Sequence, residues 1–321
     1  MIRLGSGPAD LARAAELLLA GRLVAFPTET VYGLGAVASD ADAVAAIFRA
    51  KGRPADHPVI VHLPTADALD DWAREIPADA RKLADAFWPG PLTLVLKRTR
   101  SVPDVVTGGQ DTVGLRVPGN RVARDLLAAC GCALAAPSAN RFGRISPTTA
   151  EHVLAEFGDE VAAVIDGGPC TVGVESTIVD VSGERARLLR PGMVSLAALE
   201  AVLGSRPEVA GEGEGPRSSG RLPSHYAPRA ALEIVAGARL DEACRAARQK
   251  GERVAALTLG RAGGDADLSV VMPERPAAYA RRLYAELRRV DDAGCDRIIV
   301  ERPPDEDSWA AIRDRLRRAA A

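Results

Sequence analysis

TVGLRVPGNRVARDLLAACGCALAA, residues 112–136, decides the fold. It reads as a strand over 112–117, a helix over 121–129 and a strand over 133–136. The same alternation extends upstream. A helix over 9–20 has Leu11, Ala15, Leu18 and Leu19 on one face and stops at Gly21; then come a strand at 23–26, a helix at 42–50, a strand at 59–63, a helix at 66–76 and a strand at 92–96. Downstream lie a helix at 149–157, strands at 163–165, 176–181 and 187–189, and a helix at 196–203. Interleaved helices and strands, with several strands adjacent, predict an α/β domain on a mixed sheet.

Residues 207–228, PEVAGEGEGPRSSGRLPSHYAP, are rich in Gly, Pro and Ser and almost free of large apolar side chains, so they read as a linker. Beyond it strands at 232–235, 254–259, 268–271 and 297–301 alternate with helices at 240–250, 277–290 and 308–319, the pattern of a small Rossmann-like α/β/α domain. The expected division is a first domain over 1–206, a linker or lid over 207–228 and a second domain over 229–321.

The whole-chain numbers agree with two folded domains: 321 residues, 47% hydrophobic and 26% charged. No apolar run approaches the ~20 residues a membrane helix needs. The N-terminus lacks the apolar stretch of a signal peptide, so a cytoplasmic protein with no membrane role is expected. Five scattered cysteines without a CxxC pair fit reduced thiols, the Cys130/Cys132 pair included. With 41 basic and 43 acidic residues the net charge is −2, which removes any argument for nucleic-acid binding from bulk charge. Only Lys51, Lys82, Lys97 and Lys250 are lysines, so a lysine inside a motif draws attention.

Familiar phosphate and hydrolase signatures are missing. There is no GxxxxGK[ST], HExxH or GxSxG, and the four histidines lack metal-ligand spacing, so no protein metal site is expected. Residues 33–38 match G-x-G-x-x-A, but the turn-like PTETVY separates those glycines from the preceding strand. What remains are polar residues at strand ends, where open α/β sheets bind ligands. These are Thr28 to Gly35, Lys51 and Arg53, His62, Arg116, Ser138 and Asn140, Ser146, Glu175 to Thr177 and Arg190. Each has a plain reading as well. PTET suits a turn, Lys51 and Arg53 suit a helix C-terminus, Ser146 to Thr149 suit an N-cap, and His62 and His152 suit ordinary packing. Arg116, flanked by apolar residues in a strand, must find an anion or acceptor. Together they describe a cationic, hydroxyl-rich pocket with little acid–base equipment, suited to a polyanion and a small polar molecule.

PTETVYGLG, KGRP with HPVIVH, FWPGPLTLVL, GLRVP, APSAN, SPT, DGG, GVESTIVD, LLRPG and SHYAP occur in an order that resembles the two-domain L-threonylcarbamoyladenylate synthases, with a YrdC-like catalytic domain on a twisted mixed sheet. The resemblance implies that L-threonine, bicarbonate and ATP, with Mg²⁺, give threonylcarbamoyl-AMP, pyrophosphate and water. The product would pass to a tRNA threonylcarbamoyl transferase machinery, with weak RNA binding as an additional partner. Carried over by motif, Thr30, His62, Arg116, Ala136 and Ser176 would hold threonine, Arg116 pairing with its carboxylate. Lys51, Arg53, His57, Thr112, Ser138, Asn140, Ser146, Arg190 and Tyr226 would hold the nucleotide, with Lys51 and Arg53 catalytic and Thr28 and Tyr32 shaping the pocket. His57 stands where Asn is common, and Leu222 and Ser224 stand where many members carry lysines. Two other readings start from the same residues: an RNA-binding protein, and a carbamoyl-phosphate-dependent adenylate enzyme, whose cysteine and histidine motifs are missing.

Overall fold

The strand–helix alternation runs through a computed structural model that describes residues 1–222, 224–263 and 265–321. Its contacts divide into two units: Met1–Phe142 with Ser146–Thr171 and Glu175–Arg221, and Gly143–Ile145 with Val172–Val174 and Leu222–Ala321.

The first unit runs β1 (Ile2–Leu4), α1 (Pro8–Leu19), β2 (Val24–Phe26), β3 (Gly33–Val37), α2 (Ala41–Lys51), β4 (Ile60–His62), α3 (Leu69–Trp72), α4 (Ala78–Phe87), β5 (Leu92–Lys97), α5 (Asp104–Thr107) and β6 (Thr112–Arg116). It continues with α6 (Arg121–Cys130), β7 (Leu134–Ala135), α7 (Ala150–Phe157), β8 (Ala163–Ile165), β9 (Thr177–Asp180), β10 (Arg187–Arg190), α8 (Leu196–Leu203) and β11 (Glu208–Val209). The strands form one mixed sheet in the order β1-β8-β2-β3-β7-β4-β6-β5-β9-β10-β11. Both faces are covered. Val24, Phe26, Ala163 and Ile165 join a cluster with Leu11 and Leu18 of α1 and Leu126 and Leu127 of α6, whereas Ala25 and Val164 join the larger core on the opposite face. That is the period-two alternation of strands buried on both sides.

Local chemistry fixes the helix ends. The Asp40 side chain accepts the N–H groups of Asp42 and Ala43 and starts α2, and Asn120 does the same for Ala123 in α6. Gly52 and Gly131, at φ 62° and 63°, end these two helices in the left-handed region that other residues avoid.

Three expectations need correction. The helix expected over 66–76 ends at Trp72: Glu75 takes φ 54° and Pro77 disfavours helix at Ile76. A helix starts just after that proline instead, α4, burying Ala80, Leu83 and Ala84. A strand missing from the expected set follows the turn-like PTETVY, because Gly33–Val37 forms β3, antiparallel to β2. A Cβ on Gly35 would lie 2.7 Å from the Phe26 ring, so these glycines give close packing to a strand that composition alone reads as a break.

The first unit also extends to Arg221, past residue 206. Glu208–Val209 adds the edge strand β11 beside β10, and Arg217 donates from Nε to Asp56 O (3.2 Å) and from Nη2 to Gly108 O (2.7 Å). Gln110 and the Arg217 backbone exchange two further hydrogen bonds, at 2.7 and 3.1 Å.

The second unit contains β12 (Ala231–Val235), α9 (Leu240–Gln249), β13 (Val254–Leu259), β14 (Leu268–Met272), α10 (Pro276–Asp292), β15 (Arg297–Glu301) and α11 (Ala310–Ala319). Its four strands are all parallel in the order β12-β15-β13-β14. Val254, Ala256 and Ile299 pack with Leu240, Cys244 and Ala247 of α9, while the alternate residues Ala255, Leu257, Ile298 and Val300 are buried as well. Among the described residues no helix is long and apolar enough to cross a membrane.

Candidate active site

β4 and β6 run parallel with His62 directly beside Arg116, so two of the predicted threonine residues emerge from neighbouring strand ends. Arg116 is 3% exposed, and three of its N–H groups serve the protein. Nε donates to Gly90 O (3.2 Å), Nη1 to Thr30 Oγ1 (3.0 Å) and Nη2 to Glu29 Oε1 (2.6 Å). A guanidinium has five such donors, which leaves one on each terminal nitrogen. Thr30 Oγ1 is in turn 2.8 Å from Thr28 Oγ1, and Ala136 donates its N–H to Ile60 O on β4.

His62 is buried, and its Nδ1 has no hydrogen-bond partner. Burial, reinforced by the charge of Arg116, pushes its pKa down to about 3, so the ring stays neutral and keeps one nitrogen as an acceptor. Glu29 shows the opposite balance. Burial pushes its carboxyl up, but the charge and hydrogen bond of Arg116 and backbone N–H groups outweigh it and hold the group below its ordinary value.

Ser176, just ahead of β9, links this corner to a second arginine. Its Oγ lies 2.8 Å from Thr93 Oγ1 and accepts from Arg190 Nη2 at 3.1 Å, while its carbonyl accepts from Arg190 Nε at 3.0 Å. Arg190 ends β10 and is 2% exposed, so Arg116 is not the only buried strand-borne arginine here. Its Nη1 donates to Ser219 O at 2.8 Å. The Ser219 hydroxyl accepts from Arg53 Nη2 (3.4 Å) and donates to Pro58 O (3.0 Å). Ser219 thus meets both arginines, and residues 217–219 line a cleft together with Ile60, Thr93, Thr112 and Gly114.

Lys51 is the last residue of α2 and is 2% exposed. Its ammonium donates to Ser138 O at 2.5 Å and to Asn140 O, tying the predicted PSAN residues to the predicted lysine. Burial, with a smaller push from Arg53, lowers its pKa well below the usual value. A cation drawn to a helix end by the macrodipole would stay in water; this one is drawn inside. Arg53 reaches Pro58 O at 2.9 Å and lies over the Phe142 ring, which His57 also touches at 5.5 Å between centroids. Ser146 Oγ donates to Glu175 Oε1 at 2.6 Å, and Tyr32 OH donates to Gly168 O at 2.8 Å.

Tyr226 belongs to the second unit. It has φ 64°, is 1% exposed, and packs there against Tyr284 at 5.7 Å and below the Arg315 guanidinium at 5.4 Å. Pro223 of the same segment lies outside the described residues.

Thr93 and Ser219 do not stand out in the sequence as site residues, and Glu29 and Glu175 fall in candidate stretches without being given a role. An acid between two threonines, or between Val174 and Ser176, carries a weak signal; burial is what makes it unusual. Gly192 is another hidden support. A Cβ there would lie 2.3 Å from the Thr177 backbone nitrogen and 2.7 Å from Ser176 C, backbone that cannot step aside. Gly192→Ala is therefore expected to cost about 1–3 kcal/mol, read as a lower urea midpoint, and to weaken nucleotide binding by displacing Ser176 from Arg190.

The Sua5/YciO/YrdC family model, described as "Telomere recombination", matches residues 16–192, and the model "Threonylcarbamoyl-AMP synthase, C-terminal domain" matches residues 194–321. The threonylcarbamoyl-AMP synthase of Pyrococcus abyssi is 41% identical, covering 96% of this chain and 93% of that one. That of Bacillus subtilis is 40% identical, covering 99% and 94%. A crystal structure of P. abyssi Sua5 complexed with L-threonine is 38% identical and superposes with TM-score 0.94, covering 99% of this chain and 97% of that one. Similarity of this extent, through both units, makes the chain a member of the two-domain threonylcarbamoyl-AMP synthase family.

Proposed function

We propose that the chain converts L-threonine, bicarbonate and ATP into threonylcarbamoyl-AMP, pyrophosphate and water, as a nucleotidyltransferase whose product serves tRNA modification. The observation that carries this reading is the pairing, inside one unit, of a buried polar corner at Arg116, Thr30 and His62 with a cationic, hydroxyl-rich corner at Lys51, Arg53 and Arg190. The two spare N–H groups of Arg116 suit a carboxylate, and the unpartnered His62 Nδ1 of a neutral ring suits a polar group of the amino acid. Lys51, Arg53, Ser138, Asn140, Ser146 and Arg190 would hold the triphosphate, with His57 and Thr112 as further nucleotide residues of the same unit.

The chemistry needs alignment and charge stabilisation more than a protein nucleophile. A carbamate oxygen formed on the threonine nitrogen attacks the α-phosphorus, and the bond to pyrophosphate breaks. Lys51 and Arg53 would stabilise the charge that moves onto the phosphate oxygens. The buried acids here are already engaged, Glu29 by Arg116 and Glu175 by Ser146, and no further carboxylate is among the side chains named for the site. Such a donor set fits Mg²⁺ that enters on the ATP phosphates, as part of the substrate, rather than ion held by a protein cage.

Pyrophosphate release should require threonine and bicarbonate together; release with ATP alone would contradict the reading. Serine lacks one methyl group, which a pocket discriminates by only about 10–200-fold. Steady-state rates should therefore show slow turnover of serine at high concentration, and complete rejection would mean that more than methyl packing selects the substrate.

A further inference from the structure

The corner around Arg116 carries a buried countercharge that the roles above do not use. Glu29 is 7% exposed; one oxygen meets Arg116 Nη2 at 2.6 Å and the other accepts the Asn120 N–H at 3.2 Å. Gly119 lies flat against the same carboxylate, where a Cβ would come within 3.3 Å of Glu29 Cδ and Oε1. The PTET segment, the end of β6 and the start of α6 thus converge on one acid. Stability alone is a poor reason for this arrangement, because apolar side chains of similar volume often serve a core as well as a buried ion pair.

The electrostatic consequence is more specific. Arg116 and Glu29 cancel, and His62 beside them is neutral, so these three groups carry no net charge although Arg116 keeps two donors for a ligand. A ligand with a carboxylate and no ammonium would place an uncompensated negative charge next to Glu29, in surroundings of low dielectric. A zwitterion brings its own positive charge. We propose that Glu29 is a specificity-determining residue whose charge makes this corner accept a zwitterionic amino acid and disfavour anions of the same shape. The inference rests on the threonine reading of this corner.

The test is calorimetric binding of L-threonine and of (R)-3-hydroxybutyrate, its counterpart without the amino group, to the full-length chain. Wild type should prefer threonine, and Glu29→Gln should shrink that preference by about tenfold, chiefly through tighter binding of the anion. Glu29→Asp, which keeps the charge, should stay near the wild-type ratio. A merely structural Glu29 would weaken both ligands alike. An unchanged ratio in folded Glu29→Gln, or an equal change in Glu29→Asp, overturns the proposal. If the Gln variant does not fold, the wild-type comparison decides: equal affinity for the two ligands overturns the proposal, and a threonine preference that Glu29→Asp retains supports it. If wild type binds the anion but not threonine, the threonine reading fails and takes this inference with it.

Discussion

Lys51→Met is expected to slow pyrophosphate release by about 10²–10³-fold, the usual cost of removing one donor aimed at developing charge, while leaving a folded chain. Stability should change little, because two effects oppose. The Ser138 and Asn140 carbonyls lose their donor, but a buried ammonium is replaced by an apolar side chain of similar length. The pH dependence checks the assignment independently. Lys51 titrates well below its ordinary 10.5 in the folded chain, so between the two values the unfolded chain binds more protons at this residue. Stability in that window therefore rises with pH, and Lys51→Met should flatten the slope. Wild-type turnover in this variant would remove Lys51 from the chemistry and leave it as a tie for the PSAN loop.

Much of this site is legible in the amino-acid sequence. The blocks around Lys51, Arg116, Ser138 and Arg190 sit at strand and helix ends that the apolar periodicity locates to within a residue or two. The helix expected to stop at Ala50 runs one residue further and carries Lys51 inward. What the sequence hides depends on packing between distant segments. Glu29 gains its meaning from Arg116 and Asn120, far along the chain, and Ser219 from two arginines that flank it only in space. β3 is hidden because Gly33 and Gly35 signal a break unless the Phe26 ring they accommodate is known. α4 is hidden because the expected helix ahead of it runs up to Pro77, which starts α4 rather than merely ending its neighbour.

Arg116→Ala is expected to raise the threonine KM by roughly 10–150-fold, from the ~1.5–3 kcal/mol of a lost charge-assisted pair, while the ATP KM stays close to wild type. It should also destabilise the fold by about 3–5 kcal/mol, because Glu29 is left buried without its main partner. The sign with pH is definite. In wild type the Glu29 carboxyl titrates below its ordinary 4.5, so its contribution to stability is complete above that value and is lost as pH falls through the lower folded value. Without Arg116, burial dominates and raises the same pKa, so the stability deficit of the variant should be smaller near pH 4 than at pH 7. A double variant, Arg116→Met with Glu29→Leu, should recover much of the stability and none of the threonine affinity. Equal losses of threonine and ATP affinity in Arg116→Ala would contradict the role given to this arginine.

The most direct measurement of the central claim is mass spectrometry of the nucleotide product formed from ATP, L-threonine and ¹³C-labelled bicarbonate. Threonylcarbamoyl-AMP carrying one labelled carbon is the predicted product, absent when either threonine or bicarbonate is left out. An adenylate of threonine without the bicarbonate carbon, or AMP alone under conditions that preserve the product, would contradict the account.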